Sequence, residues 1–259
     1  MGLSSLLECW ETGIRIYLKR PGFWLWMGLV SGLCWFGFPF GLAWLKTLTT
    51  SGRAHFDMVT PGFLAQSIFV AATQWSCAAG MARLAQQQLR DPKVRAVKWI
   101  EGFFGGFVTF PAAALAAWVY QESIKILSPL DGPLAYGLLG LIFLVVLVPL
   151  HEAYIAAVAE KGTLPQIFSR MAGNLKPSNL PGLLGMGGIL FIFALFLGLL
   201  LFMAGSFLIF RSGLLMSLEV YSLCMILLIS PLMAIYSLAW ARFWQKSASV
   251  VPASKDASP

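Results

Sequence analysis

Long apolar runs that contain no charged residue dominate the hydrophobic pattern of this chain. Each run is close to or above the ~20 residues that a helix needs to cross a hydrocarbon core of about 30 Å. The runs are continuously apolar, whereas strands of a membrane barrel would alternate, so the pattern predicts an all-α, polytopic membrane protein with six transmembrane helices arranged as three hairpins. The six runs are 23–45, 63–81, 102–121, 132–150, 181–210 and 220–241.

A short helix with one apolar and one polar face is predicted immediately before the fifth run. Thr163 with Gln166 three residues later is a capping-box pattern, and Lys176-Pro177 predicts the end of the helix. A short, basic segment of this kind favours the headgroup boundary of a membrane, with its apolar face turned inward. The apolar stripe consists of Leu164, Ile167, Phe168, Met171 and Leu175.

The same spacing of apolar residues appears at the start of the chain, in Leu3, Leu6, Leu7, Trp10 and Ile14. A poorer copy precedes the third run. Gly22, Gly102 and Gly182 are each 80 residues apart, and Pro149-Leu150-x-x-x-Tyr154 recurs as Pro231-Leu232-x-x-x-Tyr236. These matches predict three repeats, 1–80, 81–160 and 161–246, in which an interfacial helix precedes each hairpin. Together the repeats form a single six-helix domain over 1–246, and 247–259 is predicted to be a disordered tail.

Composition and charge agree with a membrane protein. Of 259 residues, 58% are hydrophobic and 11% are charged, against about 25% charged residues in ordinary soluble domains. If the N-terminus is cytoplasmic, six spans place 14 of the Lys and Arg residues on the cytoplasmic side and 4 on the other. The positive-inside rule therefore predicts that both termini are cytoplasmic. Basic residues that flank spans bind anionic lipids at the cytoplasmic face, so the net charge of +7 requires no nucleic-acid partner.

His151 and Glu152 are the most informative polar residues, because they lie about two turns inside the end of the fourth predicted span. In one interpretation both side chains face the cytoplasmic headgroups, as ionisable groups near helix ends commonly do. In the other they line a polar cavity open to the cytoplasm, with Arg83 as a partner. We favour the first interpretation, since a polar pair so close to the interface costs little.

No pattern of catalytic or cofactor-binding residues was found. The chain has no P-loop, no Gly-x-Ser-x-Gly elbow, and no paired histidines for haem or zinc. Its four cysteines indicate neither a disulfide framework nor a metal site. We therefore expect a protein that is not an enzyme and that binds no cofactor.

Three groups of short motifs are Trp10-x-x-Gly13 followed by Pro21-Gly22-Phe23-Trp24, Gly80-Met81-Ala82-Arg83 leading to Trp99-Ile100-Glu101-Gly102-Phe103, and Leu164-Pro165-Gln166-Ile167-Phe168-Ser169 followed by Asn174. They resemble a family of bacterial six-helix inner-membrane proteins of unknown function, which implies a place in the bacterial inner membrane. That family is similar in layout to the membrane domain attached to some glycerophosphodiester phosphodiesterases. The resemblance implies the six-helix topology and brings no established activity.

These observations predict a non-enzymatic scaffold or accessory subunit that contacts the bilayer and a membrane-protein partner. The alternative is a small transporter or lipid-handling protein with a polar path near His151 and Glu152. The position of those two side chains discriminates between the two functions.

Overall fold

The computed structural model describes residues 3–37, 61–107, 110–127, 138, 140–159, 162–212 and 218–250. All regular structure in these ranges is helical. The helices are α1 (Leu3–Lys19), α2 (Pro21–Gly32), α3 (Pro61–Arg90), α4 (Val97–Phe107), α5 (Phe110–Leu127), α6 (Val148–Ala159), α7 (Leu164–Asn174), α8 (Leu180–Ser212) and α9 (Leu218–Val250).

Two segments of the described residues are long and apolar enough to cross a membrane by length and composition, namely Gly140–Ala159 and Ile226–Lys246. The first includes α6 and the second lies within α9. Each of the six apolar runs falls on helix wherever the structure describes it. The all-α prediction is therefore confirmed, and the six-span arrangement stays a prediction.

Helix α1 packs on the second half of α9, although the two helices lie at opposite ends of the chain. The approach is close at Gly13, where an added Cβ would be 2.8 Å from the carbonyl oxygen of Ile235 and 2.9 Å from the amide nitrogen of Ala239. Only a residue without a side chain allows two helix backbones to come this near. Lys246 Nζ, on α9, also pairs with Glu8 Oε2 at 2.6 Å.

Helices α3 and α4 form a second close pair, again at glycines. An added Cβ on Gly102 would be 2.8 Å from the Cα of Gly80, and one on Gly106 would be 2.6 Å from the Cα of Ser76. The side chain of Arg20 holds the turn between these helices, because its Nη1 donates to the carbonyl oxygens of Pro92 at 2.9 Å and Val94 at 3.3 Å. The junction of α1 and α2 is thereby fixed to the junction of α3 and α4.

The third short helix, α7, packs on α6. Asn174 Nδ2, in the last turn of α7, donates to the carbonyl oxygen of Ala153 at 3.2 Å. The predicted capping box forms at the start of α7, where Thr163 N donates to Gln166 Oε1 at 3.0 Å. In the described residues α1, α4 and α7 therefore each pack on one longer helix, respectively α9, α3 and α6.

A π-helical turn lies immediately before α6, next to a proline in its first turn. Residues Phe143–Leu147 form a π-helical turn just before Pro149, which is a common adjustment where proline removes a backbone donor. In α9, Pro231 lies inside the helix, and the preceding residue Ser230 donates its hydroxyl to the carbonyl oxygen of Ile226. Side-chain hydroxyls of this kind compensate for irregularities in apolar helices.

The end of α9 differs from the prediction. The helix continues to Val250, four residues into the predicted tail, because Ser247-Ala248-Ser249 does not oppose helix and the first breaker is Pro252. The remaining tail residues, 251–259, lie outside the described residues.

Candidate polar site between the helices

Glu152 lies on α6 and points into the protein, where its exposed fraction is 2%. The hydroxyl of Tyr236, on α9, donates a hydrogen bond to Glu152 Oε1. A buried carboxylate oxygen is costly unless it accepts a hydrogen bond, so this contact ties α6 to α9. In the apolar interior the contact acts as a polar link between two helices.

His151 lies beside Glu152, with Nδ1 at 3.4 Å from Glu152 Oε1. Two tryptophan rings enclose the imidazole edge-on, Trp35 with a centroid separation of 5.6 Å and Trp75 with 5.3 Å. Aromatic rings in this orientation pack favourably. The imidazole is thus held between α3 and the π-helical turn Leu33–Gly37 that follows α2.

Part of this polar group has no hydrogen-bond partner among the described residues. Glu152 Oε2 and His151 Nε2 are both buried without one. By contrast Tyr154, two residues further along α6, donates its hydroxyl to the carbonyl oxygen of Gly106 at 2.9 Å. The two orphaned atoms are chemically exceptional, because buried polar atoms in proteins are nearly always paired.

Arg83 pairs with Glu101, whereas the sequence had suggested it as a partner of His151 and Glu152. Its Nη2 lies 3.1 Å from Glu101 Oε2, and Lys98 Nζ lies 2.7 Å from the other oxygen of that carboxylate. The reason is the close packing of α4 on α3, since Glu101 precedes Gly102 at the tightest point of contact. Arg83 therefore forms an ion pair with Glu101, and Glu152 accepts a hydrogen bond from Tyr236.

Both sequence interpretations of Glu152 need correction. The headgroup-facing interpretation is wrong, because a side chain that is 2% exposed does not reach the surface. The cavity interpretation needs correction in its partner, since Arg83 pairs with Glu101. Among the described residues, neither His151 nor Glu152 lines the cavity described below. The pair is instead packed between helices.

The predicted apolar stripe of α7 divides between two environments. Ile167 and Met171 are buried in the core, Leu175 packs partly against it, and Leu164 and Phe168 are exposed. Exposed apolar residues one turn apart leave a strip on the outside of α7. This strip is available for a surface other than the protein's own core.

Helix α1 shows the same division. Leu6, Cys9 and Trp10 are buried against the core, whereas Leu7, Ile14 and Leu18 are exposed. Burial raises the pKa of the Cys9 thiol, the largest of several influences. Lys246 lowers the pKa of Glu8, chiefly through its hydrogen bond and then through its charge. Leu3 lies in α1, but nothing is described of its side chain.

A cavity of about 600 Å³ lies at one end of the helices. Residues at the ends of α3 and α7, the turn before α8 and the last part of α9 line it. It therefore collects segments from both halves of the chain. Its charged and polar lining includes Arg90, Arg170, Asn174, Lys176, Ser178 and Asn179.

Sequence reasoning missed the partner of Glu152 and the cavity. The repeated Pro-Leu-x-x-x-Tyr motif did single out Tyr236, and an inward-facing tyrosine on a neighbouring span is a reasonable partner for a buried carboxyl. The pairing itself depends on how α6 and α9 pack, which no local pattern specifies. The cavity joins residues from 86 to 245 and carries no signal in any one segment.

Among the described residues no group of three His, Cys, Asp or Glu side chains is placed to hold a metal ion. Comparisons of the chain with protein-family models, with curated proteins and with solved structures gave no match. The resemblance to bacterial six-helix membrane proteins thus stays a prediction.

Proposed function

We propose that this protein is a non-enzymatic integral protein of the bacterial inner membrane, a scaffold or accessory subunit that binds other membrane proteins. The observation that carries the proposal is the enclosure of Glu152. This buried carboxyl links α6 to α9 through the hydroxyl of Tyr236, and it is not among the described residues that line the cavity. Such a group holds helices together, whereas a substrate path requires polar groups that face open space.

Large apolar side chains on the outside of the helices support the membrane placement. Contiguous exposed apolar surface in a soluble monomer rarely exceeds a few hundred Å², and larger surfaces mark membrane or protein contacts. Strongly exposed examples occur on six of the helices: Trp26 on α2, Phe104 on α4, Ile126 on α5, Ile192 on α8, Leu223 on α9 and Leu18 on α1.

The proposed interfacial elements are the short helices α1 and α7 and the first turn of α4, which precedes the third apolar run. Each packs on a longer helix and leaves an apolar strip exposed, such as Leu7 and Ile14 on α1 or Val97 and Ile100 on α4. Basic residues flank these strips, which favours a leaflet with anionic headgroups. The proposed topology has six spans with both termini in the cytoplasm.

A topology experiment tests this placement. Reporter domains active only in the cytoplasm or only in the periplasm are fused after Pro259 and in the loop around residue 130. The proposal expects a cytoplasmic signal at Pro259, a periplasmic signal near 130, and retention of the protein in membranes after alkaline carbonate washing. Release by carbonate, or a periplasmic signal at Pro259, contradicts it.

The scaffold function is tested with Glu152→Gln, which keeps an oxygen to accept the hydrogen bond from Tyr236. We expect normal abundance and the same set of copurified membrane proteins. Glu122→Gln is the matched control, because Glu122 forms an ion pair with Lys125 outside the buried site. Loss of copurified partners in the Glu152 variant alone, at normal abundance, contradicts a purely structural role for this carboxyl.

A second candidate function is transport or lipid handling along a path near His151 and Glu152. The specific observation in its favour is that Glu152 Oε2 and His151 Nε2 are buried without a described hydrogen-bond partner. Orphaned ionisable groups inside a membrane protein commonly belong to ion or substrate routes. A transport phenotype that Glu152→Gln abolishes at normal abundance favours this candidate over the scaffold.

A further inference from the structure

Three cationic side chains from separate segments converge on the cavity. Arg90 ends α3, Arg170 lies on α7, and Lys176 lies in the turn between α7 and α8. None of the described residues that line the cavity is acidic. Its lining therefore presents a concentration of positive charge, which attracts a ligand of the opposite sign.

Hydrogen bonds hold in place the end of α7 and the turn before α8, which form part of the cavity lining. Asn174 Nδ2 donates to the carbonyl oxygen of Ala153, and Asn179 Nδ2 donates to the carbonyl oxygen of Asn174 at 3.3 Å. Ser178 and Asn179 immediately precede α8 and line the cavity. The positive end of the 33-residue helix α8 therefore lies at the same place, and helix N-termini favour anions.

Basic residues near the ends of α3 and α7 also have a simpler explanation. Cations stabilise the carbonyl groups at a helix C-terminus without any ligand. That explanation does not account for the convergence of three cationic side chains on one cavity. It also does not apply to Lys176, which lies beyond the end of α7. The cavity volume of about 600 Å³ falls within the range of about 300–1,000 Å³ typical of small-molecule sites.

We propose that this cavity binds a phosphate group, either the headgroup of an anionic lipid or a free phosphate ion or ester from the cytoplasm. Phosphate oxygens accept several charge-assisted hydrogen bonds at once, which suits guanidinium and ammonium groups beside hydroxyl and amide donors. Trp244, also in the lining, lies partly buried near the end of α9. Indole rings are enriched at the headgroup level of membranes, which favours a lipid source. The lipid source rests on the proposed membrane placement, and the free-phosphate source does not.

The experiment uses the full chain in nanodiscs. In discs of phosphatidylcholine alone, inorganic phosphate is titrated in a calorimeter; in mixed discs, native mass spectrometry counts the phosphatidylglycerol molecules retained after detergent release. The cavity variant is Arg90→Gln with Lys176→Gln, and the matched control with the same loss of charge is Lys93→Gln with Arg95→Gln, outside the cavity lining. We expect binding in one or both arms to fall at least about tenfold in the cavity variant, or about 1.4 kcal/mol, and to change little in the control.

A second pair of variants guards against loss of folding. Ser178→Glu places a carboxylate in the cavity, and Ser169→Glu places one on the exposed outer side of α7. Ser178→Glu should abolish phosphate or lipid retention while circular dichroism and gel filtration remain as in Ser169→Glu. Three results would overturn the proposal. They are equal binding by the two glutamate variants, equal losses of binding in the cavity variant and its charge-matched control, and no binding by the natural sequence.

The two proposals fail separately. Absence of phosphate and lipid binding in a protein that resists carbonate washing contradicts the cavity site and leaves the membrane scaffold standing. Phosphate binding in a protein that carbonate releases contradicts the membrane placement. Retention of phosphatidylglycerol without a response to inorganic phosphate identifies the lipid as the source.

Discussion

Substituting Gly13 by alanine tests whether the close packing of α1 on α9 holds the ends of the chain together. The added Cβ would be 2.8 Å from the oxygen of Ile235, 2.9 Å from the nitrogen of Ala239, and 3.2 Å from the Cβ of Ala239. Two of these atoms belong to backbone inside a helix, so the clash cannot be relieved by rotating a side chain. The two helices must separate instead.

The magnitude follows from two opposing effects. Alanine is favoured over glycine inside a helix by about 1 kcal/mol, and overpacking a well-packed contact costs about 1–3 kcal/mol. Gly173→Ala on α7 is the matched control, because an added Cβ there meets nothing within 4 Å. Gly173 lies in the last turn of α7, so the gain in helix propensity of the control is at most about 1 kcal/mol. The overpacking cost of about 1–3 kcal/mol applies to Gly13→Ala alone, which should be the less stable of the two.

The free energy of unfolding is measured in detergent micelles from the loss of helical circular dichroism as a denaturant is added. Ala239→Gly in the Gly13→Ala background removes one of the three close contacts. After allowance for the helix propensity that this second substitution itself costs, it should restore only part of the lost free energy of unfolding. Gly13→Ala that is as stable as Gly173→Ala, or more so, would refute the claim that α1 is seated on α9 at this glycine.

Three further predictions test the polar contacts. Because the pKa of Glu8 is lowered, its ion pair with Lys246 stabilises the fold above the unfolded pKa of about 4.3 and is lost as the pH falls through the lowered value. The difference in melting temperature between the natural protein and Glu8→Gln should therefore vanish in acid, and a difference independent of pH contradicts the assignment. Tyr236→Phe leaves a buried carboxylate oxygen without its hydroxyl donor, and denaturant unfolding should show a loss of about 1–3 kcal/mol, whereas Tyr17→Phe should cost less. Arg20→Ala frees the turn that contains Pro92 and Val94, so limited trypsin digestion should cut faster after Lys93 and Arg95 than in Arg15→Ala; equal cutting rates argue against the role of Arg20.

Apolar runs and turn residues predicted the helical class, the start of α7 and the short helix at the N-terminus, because these depend on local preferences. The capping box of Thr163 and Gln166 formed as expected. The stripe on α7 was predicted as a single apolar face, yet Ile167 faces the core and Phe168 faces outward. Periodicity identifies a face of a helix, and it does not say how much of that face a neighbouring helix covers.

The polar site was predicted less well for a related reason. Glu152 was singled out as a key polar residue of the fourth predicted span, and the structure buries it, but its partner was assigned on the basis of charge. A carboxylate near a basic residue in a predicted topology has many candidate partners, and packing chooses among them. Here Gly80 and Gly102 allow α4 to pack closely on α3, which places Glu101 within ion-pair distance of Arg83. Arg83 therefore pairs with a carboxylate on α4 and not with Glu152 on α6.

Two helix crossings can be compared across the predicted repeat. Gly28 on α2 abuts the backbone of Ser230 on α9, and Gly187 on α8 abuts the side chain of Val148 on α6. Ser230 and Val148 each precede the proline of the repeated Pro-Leu-x-x-x-Tyr motif, so the two contacts occupy the same register 82 residues apart. On the glycine side the offset is 159 residues, one short of the 160 that separate Gly22 from Gly182, so Gly28 corresponds to Gly188 and not to Gly187. The two crossings therefore agree at the prolines and differ by one residue at the glycines, because the backbone of α9 is met in one case and a valine side chain of α6 in the other. The three-fold repeat stays a prediction.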